Sequence, residues 1–413
     1  MALKNKQNRT IVLSFPETMY SIFIKDNAIA HEVIKSHYEQ WPELFPAQMA
    51  NGYMLNGRTR PSKKLGLRMR KIKVSGISYR IRPSFVLPYF RAKTDEVSKP
   101  LFLLRFGVPF WALAYVFGHN AMWWYRLYIC LGRFSVVGTT IHNPEALPND
   151  VLADEHHIRI RNKKAYVATT VGSGCFLGMA VCPKADEACL EQGYAVFKEE
   201  ASIVNPDYEP HSVNTDGWWA TQNVWQKLYP TITVIECFLH AFLKVRDRAT
   251  KKLQDYFTTA ADKIWNTYRA LTKKSLAQQI RRLREWAGKD LPNCPMKENI
   301  LKLCKKKNRW MTHFDLQNAH RTSNMLDRLM RAMKRHAFNS QMFHATISST
   351  SMNFRAFALL YNFSPSSPAA WDESKTLTSP AARLNGRIYH KDWLQNLLIA
   401  ASLGGFRNHR NPL

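Results

Sequence analysis

The sequence has no apolar segment long enough to cross a membrane. Its longest uncharged apolar run covers residues 106–118 and contains Pro109, whereas a spanning helix needs about 20 apolar residues. The opening stretch, MALKNKQNRTIVLSF, is basic but has no long apolar core or small-residue cleavage site behind it, so no secretory signal is expected. These absences predict a globular protein of the cytoplasm without a membrane partner.

Cysteine is scarce, and its spacing excludes two kinds of site. The seven cysteines among the 413 residues form no C-x-x-C pair. Neither a zinc ribbon nor a disulfide framework is therefore predicted. We expect these residues to be free thiols.

Acidic residues are too few to balance the basic ones. Lys and Arg number 59 against 31 Asp and Glu, which gives a net charge of +28, and residues 44–94 contain no acidic residue at all. Such a positive field favours a polyanion, with nucleic acid as the leading candidate. The residues of this segment that are expected to bind double-stranded DNA are Arg58, Arg60, Lys63, Lys64, Arg68, Arg70, Lys71 and Lys73.

A basic β-hairpin is predicted within this segment. MRKIKVSGISYRIRPSFVLPYF, residues 69–90, alternates apolar and basic residues on either side of Ser75 and Gly76. This alternation is typical of two short strands with one cationic face. The alternative is a solvated surface hairpin that binds nothing.

A pair of helices is predicted next. PFWALAYVFGHNAMWWYRLYICLGR, residues 109–133, indicates a helix to Phe117, a break at residues 118–120 and a second helix over residues 121–131. In a DNA-binding helix-turn-helix the second helix enters the major groove, and Asn120, Arg126 and Tyr128 would then reach phosphates or base edges. Two packed helices without a partner are the alternative. TTIHNPEALPND, residues 139–150, predicts a connector that ends a basic DNA-binding region over residues 1–150.

Beyond residue 150 the sequence period changes to that of strands. DEHHIRIR, AYVATTV and CFLGMAVCP predict three antiparallel strands, followed by a helix, the strand HSVNT, the helix WWATQNVWQKLY and the strand TITVIECF. The order βββ-α-β-α-β predicts an α/β domain with a mixed sheet over residues 151–345, a helical insertion at about 244–310 and a late helix, RTSNMLDRLMRAMKRHAF. Residues 346–413 are predicted to be a C-terminal tail, within which the Ser/Pro/Ala-rich residues 362–387 are extended or loosely packed against the body.

Three carboxylates stand where this architecture could bring them together. Asp154 lies on the first strand, Asp216 ends the fourth, and Asp327 lies on the late helix. Phosphodiester chemistry with two Mg²⁺ ions needs such hard oxygen ligands on rigid elements. Asp154 is preferred to Glu155 because the two-residue period of a strand places Asp154 on the same face as Ile158.

Each acid also has an ordinary structural explanation. Asp154 could simply open a strand, and Asp216 could be a turn residue or a helix cap before Gly217. Asp327 could form a capping box with Asn324 or pair with Arg331. Spacing alone does not decide between these roles and catalysis.

The stretch TDGWWATQNVWQKLYPTITVIECFLHAFLKVRDR, residues 215–248, resembles the second-acid region of DDE transposases of the bacterial insertion-sequence and Mutator-like kind, which have an RNase H-like core. Those enzymes place an Asp at a strand end, then a helix and a strand, then a Cys/Asp-x-x-His motif. ADEHHIRIRNKKAYVATTV resembles their first-acid strand, and RTSNMLDRLMRAMKR resembles their third-acid helix. The resemblance covers roughly residues 150–340.

The resemblance implies a site and a reaction. Asp154, Asp216 and Asp327 would be the catalytic metal ligands for two Mg²⁺ ions, with Mn²⁺ as a substitute, and Cys237 and His240 would support the site or contact DNA. The enzyme would bind terminal inverted repeats through residues 1–150, as a homo-oligomer on DNA in the bacterial nucleoid, and would nick and join strands. The third acid is usually Glu in this family, and Asp327 is one methylene shorter.

Two other functions compete with transposition on these residues. A transposase-derived DNA-binding protein without catalysis would explain the Asp at position 327. A structure-specific RNase H-like nuclease would cut branched DNA without joining its ends. Trp218, Trp219 and Trp225 could stack on an unpaired base, although aromatic residues at helical spacing are more often core.

Overall fold

The computed structural model describes residues 6–316, 319–339, 343, 346–373 and 375–406. Parts of the predicted core and tail, residues 317–318, 340–342, 344–345, 374 and 407–413, and the first five residues of the predicted basic region lie outside these ranges. The strands are β1 (Thr10–Leu13), β2 (Met54–Arg58), β3 (Arg70–Val74), β4 (Ile77–Pro83), β5 (Asp150–Ile160), β6 (Lys163–Gly172), β7 (Cys175–Cys182), β8 (Ser212–Thr215) and β9 (Thr233–Glu236).

The α-helices of the same residues outnumber the strands. They are α1 (Glu17–Lys25), α2 (Asn27–Gln40), α3 (Thr94–Leu104), α4 (Phe110–Phe117), α5 (Ala121–Ile129), α6 (Val136–Thr140), α7 (Glu187–Val204), α8 (Trp219–Leu228), α9 (Phe238–Arg246), α10 (Gln254–Tyr268), α11 (Lys273–Asp290), α12 (Pro295–Lys305), α13 (Lys307–Met311), α14 (Asn324–Asn339), α15 (Ile347–Phe363), α16 (Pro380–Asn385) and α17 (Trp393–Ala400). No described helix is both long enough and apolar enough to span a bilayer.

The chain forms two compact units that are not contiguous in sequence. Unit 1 comprises Met1–Pro148, Glu155–Tyr208 and Arg328–Leu413, and unit 2 comprises Asn149–Asp154 and Glu209–Asp327. This division differs from the predicted boundaries near residues 150 and 345. The prolines of residues 139–150 predict an irregular connection between elements that follow each other in sequence. The two units are defined instead by which residues pack together, and these need not be contiguous in sequence.

The basic hairpin of unit 1 is confirmed. β3 and β4 pair antiparallel, and Ser75 (φ 45°) and Gly76 (φ 83°) form the two-residue turn that this pairing favours. The wider sheet has the order β1-β4-β3-β2. Ile72 is buried, whereas Lys73 and Arg80 are exposed, so part of the outer face is cationic.

The predicted pair of helices is also confirmed as secondary structure. α4 ends at Gly118 (φ 76°), and Asn120 caps α5 by accepting a hydrogen bond from the backbone N–H of Trp123 at 2.8 Å. The second helix faces inward, however. Tyr128, predicted to reach DNA, is buried, and its hydroxyl donates to the carbonyl of Asn353 at 2.8 Å. That prediction is wrong, because Tyr128 lies on the apolar face of α5.

The interpretation of residues 346–413 as a tail is wrong for the two helices that flank the Ser/Pro-rich stretch, whereas the described residues between 365 and 378 are mostly irregular and are exposed or half-buried. Side chains along α15 and α17 are buried, among them Phe354, Leu360 and Leu397. Within α15 the amide of Asn362 bonds both the N–H and the carbonyl of Phe176 in β7, at 2.9 and 2.7 Å. The prediction relied on the Ser/Pro-rich composition of residues 364–380 and therefore missed the apolar helices α15 and α17, which precede and follow that stretch.

The element order βββ-α-β-α-β beyond residue 150 is confirmed, and the α/β class with it. β6 and β7 pair antiparallel, whereas β5–β8 and β8–β9 pair parallel. The five-stranded sheet has the order β7-β6-β5-β8-β9. It is therefore a mixed sheet, in which β5 is the central strand.

The helical insertion is confirmed within unit 2. The end of α9, then α10, α11, α12 and α13, fill the predicted residues 244–310. Their buried faces form one apolar cluster with Ile264, Leu276, Leu283 and Ile300 at its centre. The period of 3.6 residues predicted these helices because each has only one apolar face.

Candidate active site

Two of the predicted acids lie at matching positions just past the last paired residues of β5 and β8. Leu152 of β5 pairs with Asn214 of β8, and Asp154 and Asp216 each lie two residues further along. Asp216 follows the end of β8, whereas Asp154 lies within β5, which continues to Ile160. Because the two strands run in the same direction, the two acids lie at the same level along them. Thr215 pairs in turn with Glu236 of β9, so Cys237 is level with Asp216.

The choice of Asp154 rather than Glu155 agrees with the burial along β5. Ile158 and Ile160, which share the face of Asp154, are buried, whereas His157 is exposed. Glu155 accepts a hydrogen bond at 2.7 Å from the hydroxyl of Tyr194 on α7. Glu155 is thus bonded to the helix on the opposite face, and Asp154 remains the candidate.

Asp216 shows the turn role that the sequence left open. Its Oδ1 accepts a hydrogen bond at 2.8 Å from the N–H of Trp218, the residue that precedes α8. Gly217 has φ 92°, a conformation that side chains rarely allow. The side chain of Asp216 is half-buried. The turn therefore fixes the position of the carboxylate just after the end of β8.

Sequence reasoning missed a further carboxylate, Glu236, the last residue of β9. Its side chain is 2% exposed and forms ion pairs with Lys306 and, at 3.4 Å, with Arg309. A Cβ added to Gly217 would lie 2.7 Å from Oε1 of Glu236. Glu236 therefore adjoins the turn that holds Asp216. The charges of Lys306 and Arg309, which lie far later in the chain, offset the cost of burying its carboxylate.

A chain of hydrogen bonds joins Cys237 to Asp327. Ser323 donates its backbone N–H to Sγ of Cys237 at 3.2 Å and its hydroxyl to Oδ2 of Asp327 at 3.0 Å. The N–H of Asp327 donates to the carbonyl of Ser323 at 2.7 Å. Ser323, the residue before α14, rather than Asn324, therefore bonds Asp327 in the first turn of the helix and positions its carboxylate.

His240 lies among these groups. Its Nδ1 is 3.5 Å from Oγ of Ser323. The pKa of His240 is raised to about 9, chiefly by a hydrogen bond with Cys237; burial opposes this rise, and the negative charges of Cys237, Asp327 and Asp154 contribute to it. Electrostatic influence falls with distance. Both acids therefore lie near one imidazole, which is protonated at neutral pH.

The thiol of Cys237 is correspondingly acidic. Burial opposes its ionisation, but hydrogen bonds with His240 and Ser323 outweigh burial and lower the pKa of Cys237. Cys237 and His240 thus form a coupled acid–base pair at the end of β9 and the start of α9. The expectation that the pair adjoins the candidate acids is supported by these contacts.

Replacing Cys237 with Ala is expected to lower the pKa of His240 from about 9 toward its ordinary value, because the largest stabilising contact of the imidazolium is lost. The measurement is an NMR titration of the His240 ring. Cys304→Ala, a buried cysteine of α12 in the same unit, is the matched control and should leave the titration unchanged. A pKa of His240 that stays near 9 in the Cys237 variant would contradict this coupling.

The three acids do not form a ready-made cage for a metal. Among the residues that the structure describes, no group of three or more His, Cys, Asp or Glu side chains could hold a metal ion. Proteins usually bind Mg²⁺ through one or two carboxylates together with waters and substrate phosphates. Carboxylate oxygens such as those of Asp154, Asp216 and Asp327 are donors of the chemical type that Mg²⁺ and Mn²⁺ prefer.

Most of the predicted DNA-binding side chains of unit 1 are at the surface, and one is not. Arg70 is 1% exposed, and its guanidinium donates to the carbonyls of Phe23, Ile24 and Asp26, each at 2.9 Å. The prediction is therefore wrong for Arg70, which binds the C-terminal end of α1. Lys71 is half-buried, and the exposed residues are Arg58, Arg60, Lys63, Lys64, Arg68, Lys73, Asn120 and Arg126.

The three tryptophans around α8 divide into two classes. Trp225 is fully buried, as expected for a core residue. Trp218 and Trp219 are 49% and 64% exposed, immediately after Asp216 and Gly217. Two large aromatic surfaces therefore face solvent beside a candidate catalytic acid.

In comparisons with known proteins, no family model matches this sequence and a search of curated proteins finds no relative.

Proposed function

We propose that this protein is a DNA transposase of the DDE type with an RNase H-like core. The observation that carries the proposal is the placement of the acids in unit 2. Asp154 and Asp216 each lie two residues past the last pair between β5 and β8, and the charges of Asp154 and Asp327 both act on His240. The proposal requires that the three carboxylates meet at one metal site, as metal-assisted phosphodiester chemistry needs.

The proposal gives each residue of this site a role. When bound, Mg²⁺ or Mn²⁺ supplies charge neutralisation at the scissile phosphate and activation of the attacking oxygen. Asp154, Asp216 and Asp327 hold the ions. Ser323 orients Asp327 through its hydroxyl, and the protonated His240 brings positive charge beside the acids, which favours the approach of a phosphate diester.

The distribution of charge supports DNA as the substrate. Residues 244–310 contain 19 Lys and Arg against 6 Asp and Glu, so the helical insertion is strongly basic. The exposed cations of residues 58–73 provide a second positive surface in unit 1. Both surfaces would attract the phosphate backbone irrespective of base sequence. Trp218 and Trp219 are exposed where they could stack on an unpaired base.

The test is a cleavage and joining assay on a supercoiled plasmid that carries the gene with its flanking DNA, incubated with Mg²⁺ or Mn²⁺. We expect nicks that leave 3′-hydroxyl ends at the flanks, followed by joined products. A plasmid without the flanking DNA is the control, and a chelator should stop both reactions. Failure of the full chain to cut either plasmid with either metal would refute the proposal.

A binding protein without catalysis is the second candidate, favoured by the absence of a three-acid metal group among the described residues. It would retain salt-sensitive DNA binding in the same assay and cut nothing. A nuclease of the same architecture would cut branched DNA and give no joined product. The three outcomes are therefore distinct.

A further inference from the structure

Arg82 of unit 1 carries a buried positive charge that no acidic side chain of the described residues neutralises. It is 2% exposed, and its Nε, Nη1 and Nη2 have no hydrogen-bond partner among the described residues. Burial lowers the pKa of Arg82 only to about 10, so the guanidinium is charged at neutral pH. A buried, unpaired charge is strongly destabilising and is rare in folded proteins unless a ligand or counter-ion is bound.

Two other arginines belong to the same neighbourhood. Arg133 donates from Nη1 to the hydroxyl of Tyr89 at 2.8 Å, and the guanidinium carbons of Arg133 and Arg91 lie 5.6 and 6.0 Å from the centre of the Tyr89 ring. The Cys130 thiol experiences the charges of all three arginines. Arg91 and Arg133 thus contact the Tyr89 ring, and the charges of Arg82, Arg91 and Arg133 all act on Cys130.

Within the part of the chain that the structure describes, no carboxylate acts on Arg82. The groups that act electrostatically on Arg82 are Cys130, Tyr89 and Tyr20. Burial raises the pKa of Cys130 to about 11, so its thiol is neutral at physiological pH. Nε of Arg91 is also buried and has no hydrogen-bond partner among the described residues. At least four guanidinium nitrogens thus lack an acceptor, three on Arg82 and one on Arg91.

The backbone beside the cluster is held in an unusual conformation. Tyr89 has φ 63° and ψ 17°, which is left-handed and rare for a bulky residue. The loop is closed by a hydrogen bond from the N–H of Leu87 to the carbonyl of Ala92 at 3.1 Å. Such strain persists where the surrounding structure maintains it, commonly at ligand sites. Here it places the Tyr89 ring against two of the three guanidinium groups.

We propose that Arg82, Arg91 and Arg133 form a phosphate-binding site in unit 1. Guanidinium groups match phosphate oxygens in shape and charge, and bidentate hydrogen bonds from arginine are the usual means of recognising this group. A phosphate supplies the acceptors that the nitrogens of Arg82 and Arg91 lack. Burial increases from the exposed Arg133 through the half-buried Arg91 to the buried Arg82. The inference is independent of transposition, because all of its residues lie outside the candidate active site.

The experiment is calorimetric titration of the full chain with inorganic phosphate, at an ionic strength held constant with sodium chloride. Wild-type protein is expected to bind one phosphate. Arg133→Ala, a change at an exposed residue, should weaken binding by about tenfold or more. Arg82→Met should abolish it. Arg80→Met, on the exposed face of the same strand, is the matched control and should bind as wild type does.

A stability measurement separates a binding role of Arg82 from a structural one. Without phosphate, Arg82→Met should unfold at the same or a higher temperature than wild type, because a buried unpaired charge is removed. Adding phosphate should raise the unfolding temperature of wild type but not of this variant. Equal phosphate binding by wild type and both cluster variants, or no binding by wild type, would overturn the proposal.

The source of the phosphate is decided by comparing two short DNA duplexes, one with a 5′-terminal phosphate and one with a 5′-hydroxyl. Preference for the phosphorylated duplex that disappears in Arg82→Met and Arg133→Ala identifies a DNA end as the ligand. Equal binding of the two duplexes, together with binding of inorganic phosphate, identifies a small phosphate compound. Either result leaves plasmid cleavage by unit 2 as a separate question.

Discussion

Replacing Asp154, Asp216 or Asp327 with Asn is expected to reduce metal-dependent DNA cleavage by about 10³-fold or more. Each change removes one negative charge from the candidate site of unit 2 and keeps nearly the same shape. Metal-assisted stabilisation of the transition state contributes several kcal/mol, and about 4 kcal/mol corresponds to a factor of about 10³ in rate. The measurement is the initial rate of plasmid nicking with Mg²⁺ and with Mn²⁺.

The design includes a matched substitution. Asp290→Asn changes an exposed carboxylate at the end of α11 and should cleave as wild type does. All three site variants should bind DNA with nearly wild-type affinity, because the cations of the two basic surfaces are unchanged. Cleavage at the wild-type rate by any one of the three would remove that acid from the site.

The second large effect is expected on stability, at Arg70. Replacing it with Met leaves the carbonyls of Phe23, Ile24 and Asp26 and the side-chain oxygen of Asn27 without their donor. Removing one side of a buried charged network typically costs about 3–5 kcal/mol. Urea unfolding should show this loss in the free energy of unfolding. Arg70→Lys should recover little of it, because an ammonium group cannot reproduce the planar fork.

Arg68→Met is the control for this experiment. Arg68 is exposed two residues earlier, and its carbonyl, which accepts from Tyr20 at 2.6 Å, is kept in the variant. Its unfolding free energy should change by less than about 0.5 kcal/mol. If Arg70→Met lost as little unfolding free energy as Arg68→Met, Arg70 would not stabilise the end of α1.

The local elements of this protein could be predicted because each has a clear period. Alternation predicted β3 and β4, and it also carried a signal about Arg70. That residue has the same parity along β3 as Ile72 and Val74, both buried, so the strand itself places Arg70 inward. Interpreting every basic residue of the segment as a phosphate ligand overlooked this parity.

The candidate site could be predicted only in part. The matching positions of Asp154 and Asp216 follow from strand order, and the position of Cys237 follows from the next strand. The bond from Ser323 to Asp327 depends on where α14 begins, and the bond from Lys306 to Glu236 joins residues that are remote in sequence. The periodicity of a sequence predicts neither kind of partner. The composition of residues 364–380 likewise gave no sign of the buried helix before them.

The ion pairs of Glu236 have a consequence for the helical insertion. Lys306 lies between α12 and α13, and Arg309 lies in α13, whereas the carboxylate that they neutralise ends β9, an edge strand of the sheet. The insertion thus supplies the positive charges that neutralise Glu236. Deleting it would leave a buried, unpaired carboxylate beside the turn of Asp216. A polyanion that binds Lys306 and Arg309 would compete with Glu236 for these two cations. Binding of a polyanion to the insertion would therefore alter the environment of the turn that holds Asp216.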